Sequence, residues 1–180
     1  MYTEELIAPD LILLLLVAPT RWPQAENRIN GITRLEKLLF LIDQECEYDD
    51  APSEPFNFIP YHYGPYSKEV YESVELLEEV GLIAEKREFT DSDLDYAEEL
   101  LYSDTATEIS YERQFLLTSD GTRVAEYLSR AHPQLQQQIH RLKDKYAGLS
   151  LQDLIYNVYS RYPGYTGRSV IREKIIGSST

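Results

Sequence analysis

The stretch FNFIPYHYGPYSKEVYESVELLEEVGLI, residues 56–83, gives the clearest indication of the architecture. Aromatic residues alternate with others up to Gly64-Pro65, which predicts a short extended segment ending in a turn. From Ser67 onward the pattern is helical, and Gly81 stands where a glycine commonly ends a helix. The apolar stripe of this predicted helix consists of Val70, Val74 and Leu77. The stretch therefore predicts a turn that leads into an amphipathic helix.

Helical patterns lie on both sides of this stretch. The apolar run LILLLLVA, residues 11–18, is much shorter than the roughly 20 residues that a membrane span needs, so it predicts a buried core helix. A second helix is predicted in RINGITRLEKLLFLIDQE, residues 28–45, from apolar residues at helical spacing. Later helices are predicted to begin around Ser119 or Asp120, at Pro133, and after the capping residue Ser150.

Two further strands are predicted, at residues 83–89 and 114–117, on either side of an acidic segment. The order helix, helix, strand, helix, strand–loop–strand, helix is that of a winged helix-turn-helix, which is mainly α with a small β-hairpin wing. The helix from Ser67 would then be the recognition helix. We predict a winged-helix domain in residues 1–130 with an acidic wing insertion at about 88–112. Residues 131–180 are predicted to form a C-terminal helical extension that packs on this domain or forms a dimer seam.

Charge is distributed unevenly along the chain. The 180 residues carry a net charge of −14. Residues 1–112 hold 7 basic against 26 acidic residues, a net of −19, whereas residues 113–180 hold 10 against 5, a net of +5. This asymmetry indicates either two faces with different partners or mutual attraction between the two halves. The overall acidity argues against a broad basic footprint for nucleic acid.

Three segments carry a resemblance to a known family: GITRLEKLLFLI, YHYGPYSKEVYESVELLEEVGLI and FLLTSDGTRVAEYL. They resemble small bacterial and archaeal winged-helix proteins that are generally labelled predicted transcriptional regulators. That family carries a Lys-Leu-x-Phe/Tyr-Leu helix, a Tyr-Gly-Pro-Tyr-Ser motif and a Leu-Thr-x-x-Gly signature. A looser similarity is to the Panacea domain of SocA-like antitoxins. The resemblance covers roughly residues 30–130 and implies a winged-helix fold. The family's scaffold motif corresponds here to Tyr63, Gly64, Pro65, Tyr66 and Ser67.

DNA binding through the predicted recognition helix would require basic or amide side chains on its outer face. The candidates for DNA contact are Arg34, Lys37 and Lys68. The outer face of the helix instead carries one lysine against five glutamates, which repel phosphates. Our leading hypothesis is a non-enzymatic regulatory protein, antitoxin-like or an accessory regulator, that binds a protein through its acidic surface. The acidic candidates for partner contact are Glu72, Glu75 and Glu79. A DNA-binding regulator that makes backbone contacts is the alternative.

Tyrosines are the other candidates for partner contact. Tyr156, Tyr159 and Tyr162 recur every three residues in a predicted helix. Such a stripe indicates either an interface anchor or half-buried packing with the hydroxyls satisfied at the rim. If these helices pair across a two-fold axis, the tyrosines would form the seam of a homodimer.

No constellation of residues predicts an enzyme, a metal site or a cofactor. The acidic run 91–95 imitates the start of a calcium loop, but Tyr96 and Tyr102 replace the required glycine and glutamate. The three histidines lack zinc-ligand spacing. The single cysteine, Cys46, excludes an intrachain disulfide and fits a reducing cytoplasm. We therefore predict a cytoplasmic protein with no metal, cofactor or membrane association.

Overall fold

The computed structural model describes residues 5–47, 55–62, 64–89, 111–167, 169 and 172–176. Its first helix, α1 (Ala8–Val17), is buried along its length, because each residue from Leu11 to Leu16 is at most 1% exposed. This confirms the prediction of a core helix in this segment. Asp10 lies in the first turn and accepts a hydrogen bond from the Ile7 N–H at 3.0 Å. Among the described residues, no helix has both the length and the apolarity to cross a bilayer.

A short strand precedes the second helix. β1 (Arg28–Asn30) leads directly into α2 (Ile32–Glu45). The helix predicted within residues 28–45 begins at Ile32, and the first three residues of that segment pair instead with a strand far along the chain. Every residue of α2 from Leu35 to Ile42 is buried. This helix therefore lies in the interior and not along the surface.

Residues 59–66 form a β-hairpin. β2 (Ile59–Tyr61) pairs antiparallel with β3 (Gly64–Tyr66), and Tyr61 stands opposite Gly64. Gly64-Pro65 thus belongs to the second strand of the hairpin, which corrects the prediction that these two residues make the turn. Tyr63, the first residue of the scaffold motif, lies outside the described residues.

The amphipathic helix forms where the sequence predicts it. α3 (Lys68–Glu79) begins after Ser67, whose hydroxyl oxygen accepts a hydrogen bond from the Val70 N–H at 3.3 Å. Its predicted apolar stripe is at most 2% exposed at Val70, Val74 and Leu77. Gly81 follows the helix with φ +74°, in the left-handed region that glycine adopts at helix ends.

Two long strands follow α3. β4 (Ile83–Phe89) pairs antiparallel with β5 (Tyr111–Leu117), and β1 pairs with the other edge of β5, which gives the order β1-β5-β4. The two predicted strands are confirmed, although the second begins three residues earlier than predicted. Most of the predicted acidic wing insertion, residues 90–110, lies outside the described residues.

The Leu-Thr-x-x-Gly segment joins the sheet to the next helix, α4 (Ser119–Ala131). Thr118 caps this helix: its Oγ1 accepts from the Gly121 N–H at 3.0 Å and donates to the Gly81 carbonyl at 2.6 Å. A Cβ on Gly121 would lie 1.7 Å from the Leu82 carbonyl oxygen, so only glycine lets the two backbones approach this closely. The signature therefore fixes α4 against the end of α3.

The C-terminal helices pack on the first two. α5 (Pro133–Tyr146) contacts α1 and α2, α6 (Leu151–Arg161) contacts α2, and α7 (Arg172–Ile176) packs on α6. The predicted starts at Pro133 and after Ser150 are confirmed. Both predicted regions, 1–130 and 131–180, contribute side chains to one hydrophobic core. The described chain is thus a mixed α/β structure, mainly helical, with small antiparallel sheets.

Candidate functional site: the tyrosine hairpin and the outer face of α3

A buried ion pair in α2 holds the Gly-Pro-Tyr-Ser segment. Lys37 Nζ lies 2.9 Å from Glu36 Oε2 and donates to the Pro65 carbonyl at 2.7 Å. Glu36 Oε1 accepts from the Ser67 N–H at 3.1 Å. Lys37 is 1% exposed and Glu36 4%. Because a buried charge needs a partner of opposite sign and satisfied hydrogen bonds, this arrangement joins α2 to the start of α3.

This geometry corrects the prediction that Lys37 contacts DNA. The ammonium group is buried and its donors are directed at the protein's own backbone and carboxylate, so it is not available to a phosphate. Arg34, the second candidate, is partly buried, and its Nη1 donates to the Leu149 carbonyl at 2.6 Å. Both residues lie in α2, and both donate to backbone carbonyls of the protein itself.

Tyr159 packs against the same motif from the C-terminal side. A Cβ on Gly64 would lie 2.7 Å from Tyr159 Cε1, and Gly64 has φ +91°. The Tyr159 hydroxyl hydrogen-bonds Ser169 Oγ at 2.8 Å, and burial raises the pKa of Tyr159 to about 12. Tyr159 is 1% exposed, which corrects the prediction that it contacts a partner.

The other two tyrosines of α6 lie in different surroundings. A repeat of three falls short of the 3.6 residues per helical turn, so each successive tyrosine is rotated by about 60° around the axis. Tyr156 is accordingly 38% exposed, and Tyr162 is half-buried. The Tyr162 hydroxyl donates to Glu45 at 3.2 Å, and its ring packs edge-on against Phe40. Of the predicted stripe, only Tyr156 presents a large surface to a partner.

Lys68, the remaining DNA candidate, is exposed at the start of α3. Its Nζ lies 2.5 Å from Glu72 Oε1, one turn further along the helix. The hydrogen bond to Glu72 is the main cause that raises the pKa of Lys68. The positive charge of this helix is therefore held by a neighbouring carboxylate.

The outer face of α3 is acidic. Glu72, Glu75 and Glu79 are all exposed, as the sequence predicts. Within the described part of the chain, neither a hydrogen bond nor an ion pair fixes Glu75 or Glu79. Glu78 lies at the edge of this face, where partial burial first, and then the neighbouring Glu85 carboxylate, raise its pKa. The helix thus presents free carboxylates where a DNA-reading helix would present donors.

A series of aromatic rings leads from the hairpin to α3, and the sequence did not predict its order. The His62 and Tyr61 rings are stacked with centroids 4.5 Å apart and planes 8° apart. Tyr61 and Tyr66 lie 5.1 Å apart, and Tyr66 and Tyr71 lie 5.6 Å apart. We call these four residues the ring series. The crowding of aromatic residues between positions 61 and 71 is the sequence signal for it.

Other candidate sites offer little chemistry. A cavity of about 90 Å³ lies beside Arg34, Asn30 and Leu149, far below the roughly 300 Å³ at which small-molecule pockets begin. No group of three or more His, Cys, Asp or Glu among the described residues is placed to hold a metal ion. Burial and then the Glu45 carboxylate raise the pKa of Cys46 to about 12, so its thiol stays protonated and is a poor nucleophile.

Comparison with known proteins adds no assignment to this geometry. No family model, curated protein or solved structure matches the chain.

Proposed function

We propose that this protein is a non-enzymatic winged-helix regulatory protein that acts mainly through protein–protein contacts made by its acidic surface. The observation that carries the proposal is the outer face of α3, where Glu75 and Glu79 are exposed and the nearby Lys68 is paired with Glu72. A basic protein surface complements such a face. By binding a basic protein, the chain would act as an antitoxin or as an accessory regulator.

The order of elements supports the winged-helix part of the proposal. A helix, a short strand, two further helices and a strand pair follow one another, and β1 and β4 flank β5 in one antiparallel sheet. In this arrangement α3 is the recognition helix and the β4–β5 pair is the wing. The β2–β3 hairpin would then be an insertion between the second and third helices.

The same order of elements favours a second candidate, a DNA-binding transcriptional regulator. The charges count against it. Neutralised phosphates drive protein–DNA affinity through the release of counterions, yet the exposed cation at the start of α3 is bound to Glu72. On the wing, Arg87 and Arg113 both bind Glu85, at 3.0 and 2.8 Å. With Lys37 buried and Lys68 paired, DNA contacts would fall to other basic residues, such as the exposed Lys86 of the wing and those of the C-terminal helices.

Two measurements test the proposal. The first is fluorescence anisotropy of a labelled mixed-sequence DNA duplex at low salt, where we expect no submicromolar binding by the native protein. Submicromolar binding with a steep salt dependence would overturn the protein-contact proposal in favour of the DNA-binding regulator.

The second measurement uses charge reversal on α3. The triple variant Glu72→Lys/Glu75→Lys/Glu79→Lys should lose a protein partner that the native chain captures from source-cell extract. Glu126→Lys, a single exposed reversal on α4, is the control for a charge change outside this face and should retain that partner. Retention of the partner by the triple variant would contradict the role assigned to this face.

A further inference from the structure

The solvent end of the ring series is unusually apolar and aromatic for an exposed hairpin. Tyr61 is 45% exposed and Ile59, two residues before it, is 50% exposed. The near-parallel stack of His62 covers part of the Tyr61 ring and restricts its rotation. An exposed ring whose rotation is already restricted loses little conformational entropy on binding, which is the property of an interface anchor.

Carboxylates follow the other end of the ring series. Tyr71 lies on α3, Glu72 is the next residue, and Glu75 is one helical turn further along the same side. The binding face therefore consists of aromatic rings on the hairpin and carboxylates on the helix. Its chemistry suits a group that is both planar and positively charged.

The protein uses this combination twice within its own fold. The Arg113 guanidinium lies 5.1 Å from the Phe115 ring centroid and 2.8 Å from Glu85. The Arg161 guanidinium lies 5.4 Å from the Tyr162 ring centroid and 2.5 Å from Glu45. In each case one arginine satisfies a ring and a carboxylate together. A lysine ammonium can also lie over a ring, as Lys145 does at 4.7 Å from the Tyr146 centroid, but it is more strongly hydrated and has no planar face to stack.

We propose that the ring series and the carboxylates of α3 bind an arginine-containing segment of a partner protein, with one guanidinium packed against the exposed part of the Tyr61 ring and further arginine charges paired with Glu75. This inference rests on the proposed function, because it names the chemistry of the basic partner. Single-stranded nucleic acid also stacks on tyrosine, but its phosphates would face the free carboxylates of α3.

The test compares two fluorescein-labelled peptides of equal charge, nona-arginine and nona-lysine, in anisotropy titrations against the full chain. We expect the arginine peptide to bind about two- to fivefold more tightly, the factor that one exposed cation–π contact provides. Tyr61→Leu should remove this preference, whereas Tyr127→Leu, at an exposed tyrosine of α4 outside the ring series, should leave it unchanged. Glu75→Gln/Glu79→Gln should lower the affinity for both peptides by the same factor.

The outcomes separate this inference from the proposed function. Equal affinity for the two peptides in the native protein would overturn the inference, and so would a preference that persists in Tyr61→Leu. If either outcome occurs but Glu75→Gln/Glu79→Gln still lowers the affinity for both peptides, the proposed function of the acidic face stands. Peptide binding that is indifferent to the glutamine substitutions would overturn both. Tighter binding of labelled oligothymidylate than of either peptide would assign the face to nucleic acid instead.

Discussion

Substitution of Gly64 tests how the Gly-Pro-Tyr-Ser segment is held. Gly81 serves as the control, because it has a similar backbone conformation but no side chain beside it. Gly64 and Gly81 both have positive φ, +91° and +74°. Alanine in that region costs roughly 1–2 kcal/mol. Only at Gly64 does the added Cβ meet another group, Tyr159 Cε1 at 2.7 Å, whereas nothing lies within 4 Å at Gly81. Overpacking of this kind adds roughly 1–3 kcal/mol.

We therefore expect Gly81→Ala to lower the free energy of unfolding by about 1 kcal/mol and Gly64→Ala to lower it by about 3 kcal/mol. Urea denaturation followed by circular dichroism gives both values from the shift in midpoint at constant slope. In a Tyr159→Leu background, the cost of Gly64→Ala should fall towards that of Gly81→Ala, because the aromatic edge is gone. Equal costs for the two alanine variants in the native background would refute the reasoning.

Three further predictions concern polar side chains that hydrogen-bond the backbone. Lys37→Met should lower the free energy of unfolding by about 3–5 kcal/mol in urea denaturation, because it leaves the Glu36 carboxylate buried without its counter-ion. If the double variant Glu36→Gln/Lys37→Met loses less free energy of unfolding than Lys37→Met alone, the two side chains are coupled. Burial lowers the pKa of Lys143 to about 7, so above pH 7 the unfolded chain binds more protons than the folded one. The free energy of unfolding should therefore rise by about 2 kcal/mol from pH 7 to 9. Comparison with Lys143→Met isolates this rise, and the same rise in both proteins would exclude Lys143 as its source. Thr118→Ala should cost about 1 kcal/mol in thermal or urea unfolding, because it removes the cap of α4, and an unchanged midpoint would argue against that role.

The sequence predicted those elements whose signals are local. The apolar stripe and the serine cap of α3 follow from spacing and residue type within about a dozen positions. The first residues of α5 and α6 follow in the same way, from Pro133 and from the capping residue Ser150. These features were predictable because the interactions that create them join residues close together in the chain.

The features that were missed depend on contacts between distant residues. β1 is three residues long and forms because it pairs with residues 114–116. Three residues are too few to show the apolar–polar alternation that predicts a strand. Lys37 was predicted to be available to DNA because an amphipathic helix with one buried face would leave it exposed. In the structure the helix is buried all round from Leu35 to Ile42, and the charge is tolerated through Glu36 and a backbone carbonyl of β3.

The candidate site was predicted in part. The three exposed glutamates of α3 could be read directly from the helical spacing. The ring series could not, because the hairpin register and the turn decide which of the crowded tyrosines touch. Likewise, the even spacing of the tyrosines in α6 concealed that they point to different sides of the helix.

The position of α1 in the chain also has a consequence for biosynthesis. Its leucine-rich surface is covered by α3, α4 and α5, and Lys143 of α5 caps it by donating to the carbonyls of Leu16 and Ala18 at 2.9 and 3.0 Å. Some 125 residues separate this cap from the helix it closes, an interval of roughly 6–25 s at ribosomal rates of 5–20 residues per second. Throughout that interval the apolar surface of α1 is covered only in part, by α3 and then by α4 as each is synthesised. Expression yield should therefore depend on chaperones that bind apolar segments during translation.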